Sequence, residues 1–168
     1  MSGKVCCVTG HRVIPEAERT RVEKRLREEV RLAVADGYTV FLSGFADGAD
    51  LMFARAVLEE KAARPDLRLV AAIPHAQRLS QGGPEFQELY ARCDDSRILS
   101  PAYHPSCYAH RNRYMVSHSQ RIIAVYDGRG RGGTMQTLRM AREALCEIRC
   151  IHLSRGAAPY ETNGVRKT

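Results

Sequence analysis

Tryptophan is absent from this chain, only four of its 26 basic residues are lysines, and no apolar run approaches the length of a membrane span. Each shortage excludes something. With no tryptophan and an aromatic content of 7%, stacking platforms for unpaired bases are few, which counts against a surface that grips single-stranded nucleic acid through its bases. Every hydrophobic stretch is cut by charge or glycine within about eight residues, against the roughly 20 that a spanning helix needs. Met1-Ser2-Gly3-Lys4 leads at once into Val5-Cys6-Cys7-Val8, too short for a signal-peptide core, so the expectation is a cytoplasmic chain with no membrane partner. The shortage of lysine leaves arginine to carry the net charge of +7. Arginine binds phosphate through a planar fork, so anionic partners are favoured, although an arginine-rich genome leaves the same balance.

Length and composition fit one ordinary globular domain: 168 residues with 44% hydrophobic and 27% charged content. The six cysteines form no C-x-x-C pair. Cys6 and Cys7 are adjacent in a strand-like run and point to opposite faces, and buried free thiols are the expectation. A metal cluster from Cys93, His104, Cys107 and His110 matches no finger spacing, so no metal site is expected.

Apolar runs alternate with helical periodicity along the chain. Strands are expected over Lys4 to Thr9, Tyr38 to Ser43, Leu67 to Ile73, Arg97 to Leu99, Arg121 to Tyr126 and Arg149 to Leu153. Helices are expected from about Pro15 to a stop at Gly37, from Gly48 to Ala63, around Phe86 to Cys93, from Tyr108 to Ser119, and from Thr134 to Glu147 with Leu145 inside. This order implies an α/β fold, a Rossmann-like three-layer sandwich with a mainly parallel sheet. The domain is expected over 1–153, with 154–168 a flexible polar tail. In such sheets ligands bind beyond the carboxyl ends of the strands, so the loops there hold the candidate chemistry.

Three strand-end loops are unusual: Thr9-Gly10-His11-Arg12, Ser43-Gly44-Phe45-Ala46-Asp47-Gly48-Ala49-Asp50, and Asp127-Gly128-Arg129-Gly130-Arg131-Gly132-Gly133-Thr134. Each precedes a helix, whose unpaired N–H groups and partial positive charge suit a phosphate. In the last loop Arg129 and Arg131 repel one another unless an anion lies nearby. Asp47 and Asp50 are spaced as a capping box, or one of them accepts ribose hydroxyls. The expectation is that neither a G-x-G-x-x-G fingerprint nor a Walker A pattern occurs in the chain, which weighs against NAD-type and P-loop sites. On the helix from Tyr108, an inward stripe of Tyr108, Asn112, Met115, Val116 and Ser119 places Asn112 among apolar neighbours, where it either hydrogen-bonds a loop backbone or stands at the ligand edge with Arg111 beside it as a phosphate clamp.

Val8-Thr9-Gly10-His11-Arg12, the Ser43 to Asp50 loop, His110-Arg111-Asn112-Arg113 and Gly132-Gly133-Thr134 together resemble the YpsA-like branch of the SLOG superfamily. That superfamily groups DNA-processing protein A with the Lonely Guy, or lysine-decarboxylase-like, phosphoribohydrolases. The resemblance implies a Rossmann-like fold and a pocket for nucleotides or nucleotide-derived, ADP-ribose-like ligands, often in a homodimer. It matches Gly10, Ser43, Gly44, Gly48 and Asp50 to the first two loop motifs, Arg111 and Asn112 to an Arg-Asn pair, and Gly132, Gly133 and Thr134 to the last phosphate-side turn. The phosphoribohydrolase signature ends in a catalytic glutamate, where this chain has Thr137. The expectation is therefore binding or sensing of such a ligand, with Gly10, His11, Arg12, Ser43, Gly44, Asp47, Gly48, Asp50, Arg111, Asn112, Gly132, Gly133 and Thr134 as its residues. Hydrolysis of an N-glycosidic bond, with Asp47 or Asp50 as the carboxylate, and single-stranded nucleic-acid binding remain as alternatives.

Overall fold

The computed structural model describes residues 1–154, so the tail expected from 154 lies, beyond its first residue, outside the described residues. The strands are β1 (Lys4–Gly10), β2 (Tyr38–Ser43), β3 (Arg68–Ile73), β4 (Asp95–Ile98), β5 (Arg121–Tyr126) and β6 (Glu147–His152). The helices are α1 (Glu16–Ala35), α2 (Ala49–Ala63), α3 (Arg78–Gln81), α4 (Pro84–Ala91), α5 (Cys107–Ser117) and α6 (Gly133–Glu143). All six strands pair in parallel in one sheet, in the order β4-β3-β2-β1-β5-β6.

The inner strands are apolar through their middles because helices cover both faces. Side chains alternate between the two layers. Cys6, Val8, Phe41, Leu69 and Val125 pack with Val22 and Leu26 of α1, Phe53 of α2 and Phe86 of α4. Cys7, Val40, Leu42, Val70 and Ile122 pack with Met115 of α5 and Ala141 of α6. Cys6 and Cys7 thus lie on opposite faces, and all six cysteines are free thiols. No group of residues able to hold a metal ion occurs among the described residues, and no described helix is long and apolar enough to cross a membrane.

The chain steps outward from β1 to β4, and α5 then carries it back to β5 on the other side of β1. The strand order therefore reverses between β1 and β5. Their carboxyl ends are where an open α/β sheet leaves a crevice.

Two helix ends teach different lessons. Gly37 stops α1 in a left-handed conformation (φ +86°), its N–H bonding Val34 O, as its residue type signals. α6 stops at Glu143, short of the expected Glu147, because Leu145 adopts a left-handed conformation (φ +55°). There the Cys146 N–H bonds Ala141 O and the Leu145 N–H bonds Arg142 O, a helix-ending closure usually assigned to glycine. Leu145, expected inside, is 92% exposed. β4 also begins two residues earlier than expected. The Asp94 carboxylate accepts the Leu69 N–H at 2.8 Å and locks this edge strand to β3 before Arg97 is reached.

At the amino-terminal end of the sheet, Arg121 opens β5 and is buried under Tyr38, with its guanidinium 4.6 Å from the ring centre. It donates to Asp36 Oδ2 at 2.6 Å and to Glu147 Oε2 at 2.9 Å.

Candidate functional site

A cleft of about 320 Å³ opens at the carboxyl ends of β1 and β2, and Gly10, His11, Arg12, Asp50, Arg111, Asn112, Gly133 and Thr134 line it with Val8, Thr9, Ala46 and Tyr108. Gly44 and Asp47 line a smaller adjoining cleft of about 110 Å³ with Arg12, Tyr108, Arg111, Pro74, Arg78 and Gln81. Gly132 lines a third, of about 290 Å³, with His11, Arg129, Arg131, Gly133 and Thr134. Ser43 and Gly48 border none of these three and act from behind.

The second loop is built around Asp50. Ser43 Oγ donates to Asp50 O at 3.0 Å and accepts the Phe45 N–H at 3.2 Å, fixing the turn from inside the core. Gly48 turns the chain with φ +76°, and a side chain there would strike the His11 and Arg12 carbonyls at 2.5 and 2.4 Å. The first two loops can therefore lie against each other only with glycine at this position. The expected capping box does not form. Gly48 caps α2 with no side-chain bond; Asp50 Oδ2 accepts the Ala46 N–H at 3.3 Å. Asp47 swings outward instead and pairs with Arg78 Nη2 at 3.2 Å.

Arg111 and Asn112 both stand on the cleft wall, but it is Arg111 rather than Asn112 that lies on the inward stripe. Arg111 is 5% exposed, whereas Asn112 is half-buried at the cleft wall. The turn of α5 that carries Met115 into the core carries Arg111 with it, four residues earlier on the same stripe. Arg111 Nη1 donates to Gly44 O at 2.6 Å and Nε to Asn112 Oδ1 at 2.8 Å. The carboxamide thus holds the arginine, rather than being the buried polar group itself. A methyl group on Gly44 would lie 2.5 Å from Arg111 Nη1 and 2.7 Å from Asp50 Oδ2, so the glycine lets the opposite charges face each other.

Burial dominates both charges. It pushes the Asp50 carboxyl up to about 6, against the pull of Arg111, the Ala46 N–H, Arg12 and Arg78. It draws the Arg111 guanidinium below its ordinary value, with Asp50 opposing. Arg12 and Arg111 lie over the Tyr108 ring, 5.0 and 5.7 Å from its centre. The Tyr108 hydroxyl sits 3.5 Å from Nε2 of the buried His75, whose Nδ1 is 3.0 Å from Gln77 Oε1.

His11 links the first loop to the third. Its Nε2 lies 3.2 Å from both the N–H and Oδ1 of Asp127, accepting from the first when neutral and holding the second when protonated. Burial raises the Asp127 carboxyl, but the Arg129 N–H, the Arg129 side chain and His11 together hold it below its usual value. Arg129 therefore has an acidic partner within its own loop. The expected arginine repulsion is relieved there without an external anion. Gly128, Gly130 and Gly133 stand at G-x-G-x-x-G spacing between β5 and α6, so the expectation that this fingerprint is absent from the chain is wrong for the third loop. Thr137, in the place of the phosphoribohydrolase glutamate, is buried and returns its hydroxyl to Gly133 O at 2.8 Å.

Tyr108 and Arg78 are among the wall residues that sequence reasoning passed over as binding groups. Arg78 follows the Pro74-His75 strand end, and that position was its only signal.

A model of the YspA SLOG family matches residues 6–153. The DNA processing protein A of Helicobacter pylori, solved for its single-stranded DNA binding mode, superposes with a TM-score of 0.65 at 16% identity, over 91% of this chain and 67% of its own. The structural-genomics protein TM1055 superposes with a TM-score of 0.52 at 15% identity, over 84% of this chain and 68% of its own. No functionally curated protein matches the chain.

Proposed function

This chain belongs to the YspA SLOG family, and from that premise we propose that it binds a nucleotide or a nucleotide-derived, ADP-ribose-like molecule in the strand-end cleft. The observation that carries the proposal is a buried arginine, Arg111, lining the same cleft as Asp50 and the first residues of α6. Removing a guanidinium from water is costly unless an acceptor returns the loss, and a ligand phosphate is such an acceptor. In this reading the phosphate rests on the Gly132 to Thr134 turn at the start of α6, with Gly10, His11 and Arg12 opposite. Asp50 accepts ribose hydroxyls, since Asp47 is turned toward Arg78. A cytoplasmic sensor that passes ligand occupancy to a partner, or to a second copy of itself, belongs to the same reading.

Calorimetric titration with nucleoside monophosphates, NAD and ADP-ribose tests it. At least one is expected to bind with micromolar affinity, and Gly133→Val is expected to abolish that binding. The valine should move the melting temperature little, because a side chain at Gly133 points into open space. If no nucleotide binds, or a folded Gly133→Val protein binds as before, the phosphate placement is wrong.

A second reading has one observation behind it: a carboxyl held near 6 in a nucleotide-sized cleft is poised between acid and base. Asp50 would then stabilise the oxocarbenium-like centre of N-glycosidic cleavage. Incubation with nucleoside monophosphates and NAD, read for released base, decides it, and absence of turnover above background ends it. Strand binding, suggested by the arginines of the three clefts and by what the Helicobacter pylori protein binds, would instead appear as affinity that grows with strand length and falls steeply with salt.

A further inference from the structure

The smaller cleft on the β2 and β3 side of the main one has a use of its own. Arg78 lies on its wall, already held in place. Nη2 donates to Phe45 O and to Asp47 Oδ1, each at 3.2 Å, and the guanidinium stacks 4.7 Å from the Phe86 ring centre. Its side chain is only 14% exposed. Those contacts engage a single nitrogen of a five-donor fork, leaving Nε and Nη1 uncommitted among the described residues.

Arg111 lines both clefts, and with Nη1 and Nε engaged its Nη2 is likewise uncommitted among the described residues. Arg12, stacked on Tyr108, borders both as well. Three guanidiniums thus converge on a small space whose acidic neighbours are Asp47 and Asp50. Asp47 is 70% exposed and can turn to solvent when a stronger anion arrives. Asp50 is buried behind Gly44 and titrates near 6, so its charge is the easier to surrender. The volume, about a third of the main cleft, suits a compact charged group rather than a base.

We propose that this smaller cleft is a second anion subsite, centred on Arg78, Arg111 and Arg12, which takes a phosphate of the same ligand whose first phosphate rests at α6. The ligand class is then a nucleotide carrying two separated phosphates. The inference rests on the nucleotide reading of the main cleft and narrows it. A free nucleoside bisphosphate and successive phosphates of a strand share this chemistry.

The test compares AMP, ADP and adenosine 3′,5′-bisphosphate by calorimetry on the full chain at matched ionic strength. ADP controls for the presence of a second phosphate as such, because its second phosphate adjoins its first. The bisphosphate is expected to bind at least tenfold tighter than AMP and tighter than ADP. Arg78→Ala should bring the ratio of bisphosphate to AMP affinity to within twofold of one, while Arg78→Lys keeps part of the gain. Arg78→Gln serves as the variant if the alanine protein melts early. A wild-type ratio near one, or an unchanged ratio in folded Arg78→Ala and Arg78→Gln, overturns the subsite and leaves the nucleotide reading standing. If none of the three binds, the nucleotide reading itself falls and takes the subsite with it. A parallel titration with a 5′-phosphorylated strand of about a dozen nucleotides separates the sources. Strand binding that loses affinity steeply with salt, without a bisphosphate gain, overturns the small-molecule form.

Discussion

Arg121 and Arg111 are both buried arginines, one at each end of the sheet, and they are compensated in opposite ways. Burial works against both charges. At the amino-terminal end, hydrogen bonds from Arg121 to Asp36 and Glu147 outweigh burial and hold its pKa above the ordinary arginine value. At the carboxyl end, Arg111 bonds only a backbone carbonyl and a carboxamide, and burial prevails. A buried cation whose hydrogen-bond acceptors are neutral and which borders a cleft has unspent capacity for an anion. One whose carboxylates are already in place is a rivet between α1, β5 and β6. The contrast teaches that burial alone does not mark a binding arginine; the identity of its acceptors does.

The sharpest way to break this comparison is to exchange the consequences. Arg111→Met is expected to cost ten- to a hundredfold in nucleotide affinity, the worth of one or two charge-assisted hydrogen bonds. Arg121→Met should leave affinity unchanged in the folded protein but lower the melting temperature by roughly 5 °C, since it removes two charge-assisted hydrogen bonds and the stacking on Tyr38. Calorimetry and thermal melts on both variants check the pair, and equal effects on binding would erase the distinction.

Asp50 sharpens the comparison through pH. Its folded pKa of about 6 lies above the ordinary aspartate value, so the folded protein keeps a proton that the unfolded chain releases earlier. The sign follows: stability from this group is full below the ordinary carboxylate range and declines as pH rises to about 6, then levels. The total is about 3 kcal/mol on the order of magnitude set by a two-unit shift. Asp50→Asn should remove that slope in urea melts between pH 4 and 7 and raise stability at pH 7. A bound anion favours protonated Asp50, so nucleotide affinity in the wild type should rise as pH falls through 6. A wild-type stability profile flat across this range would show that the carboxyl is not held up.

The smallest effect probes the space between the two charges. Gly44→Ala places a methyl against Arg111 Nη1 and Asp50 Oδ2. Both are ends of side chains that can shift, so the expected loss is about 1 kcal/mol of stability, the low end of overpacking. Affinity should fall more than stability, because the shift misdirects the guanidinium. Paired melts and titrations check it, and unchanged affinity would mean that the fork tolerates displacement.

Much of this was legible in the residues. β2 and β5 carry the boundaries expected of them, because an uninterrupted apolar run between polar ends allows few other readings. Gly37 announced its helix end, whereas Leu145, which does the same work, could not, since leucine has no preference for that backbone. The three glycine loops were recognisable as strand-end turns. Their meeting in adjoining clefts follows from a sheet whose strands all point the same way.

What the sequence by itself determined was the alternation of strands and helices, the parallel sheet this implies, and therefore which edge carries the loops. These are local properties: hydrophobic period, chain turns and residue volume act over a few neighbours. Tertiary structure alone decided which polar groups are buried and which partners they take. The rotation of α5 that buries Arg111 rather than Asn112 is set by packing of Met115 and Val116 on a strand face formed from distant sequence. Asp47 finds Arg78 across 31 residues, and Arg121 finds Asp36 across 85. Charges act through space and are screened or desolvated by whatever the fold brings beside them. Their roles could not be read until the chain had closed around them.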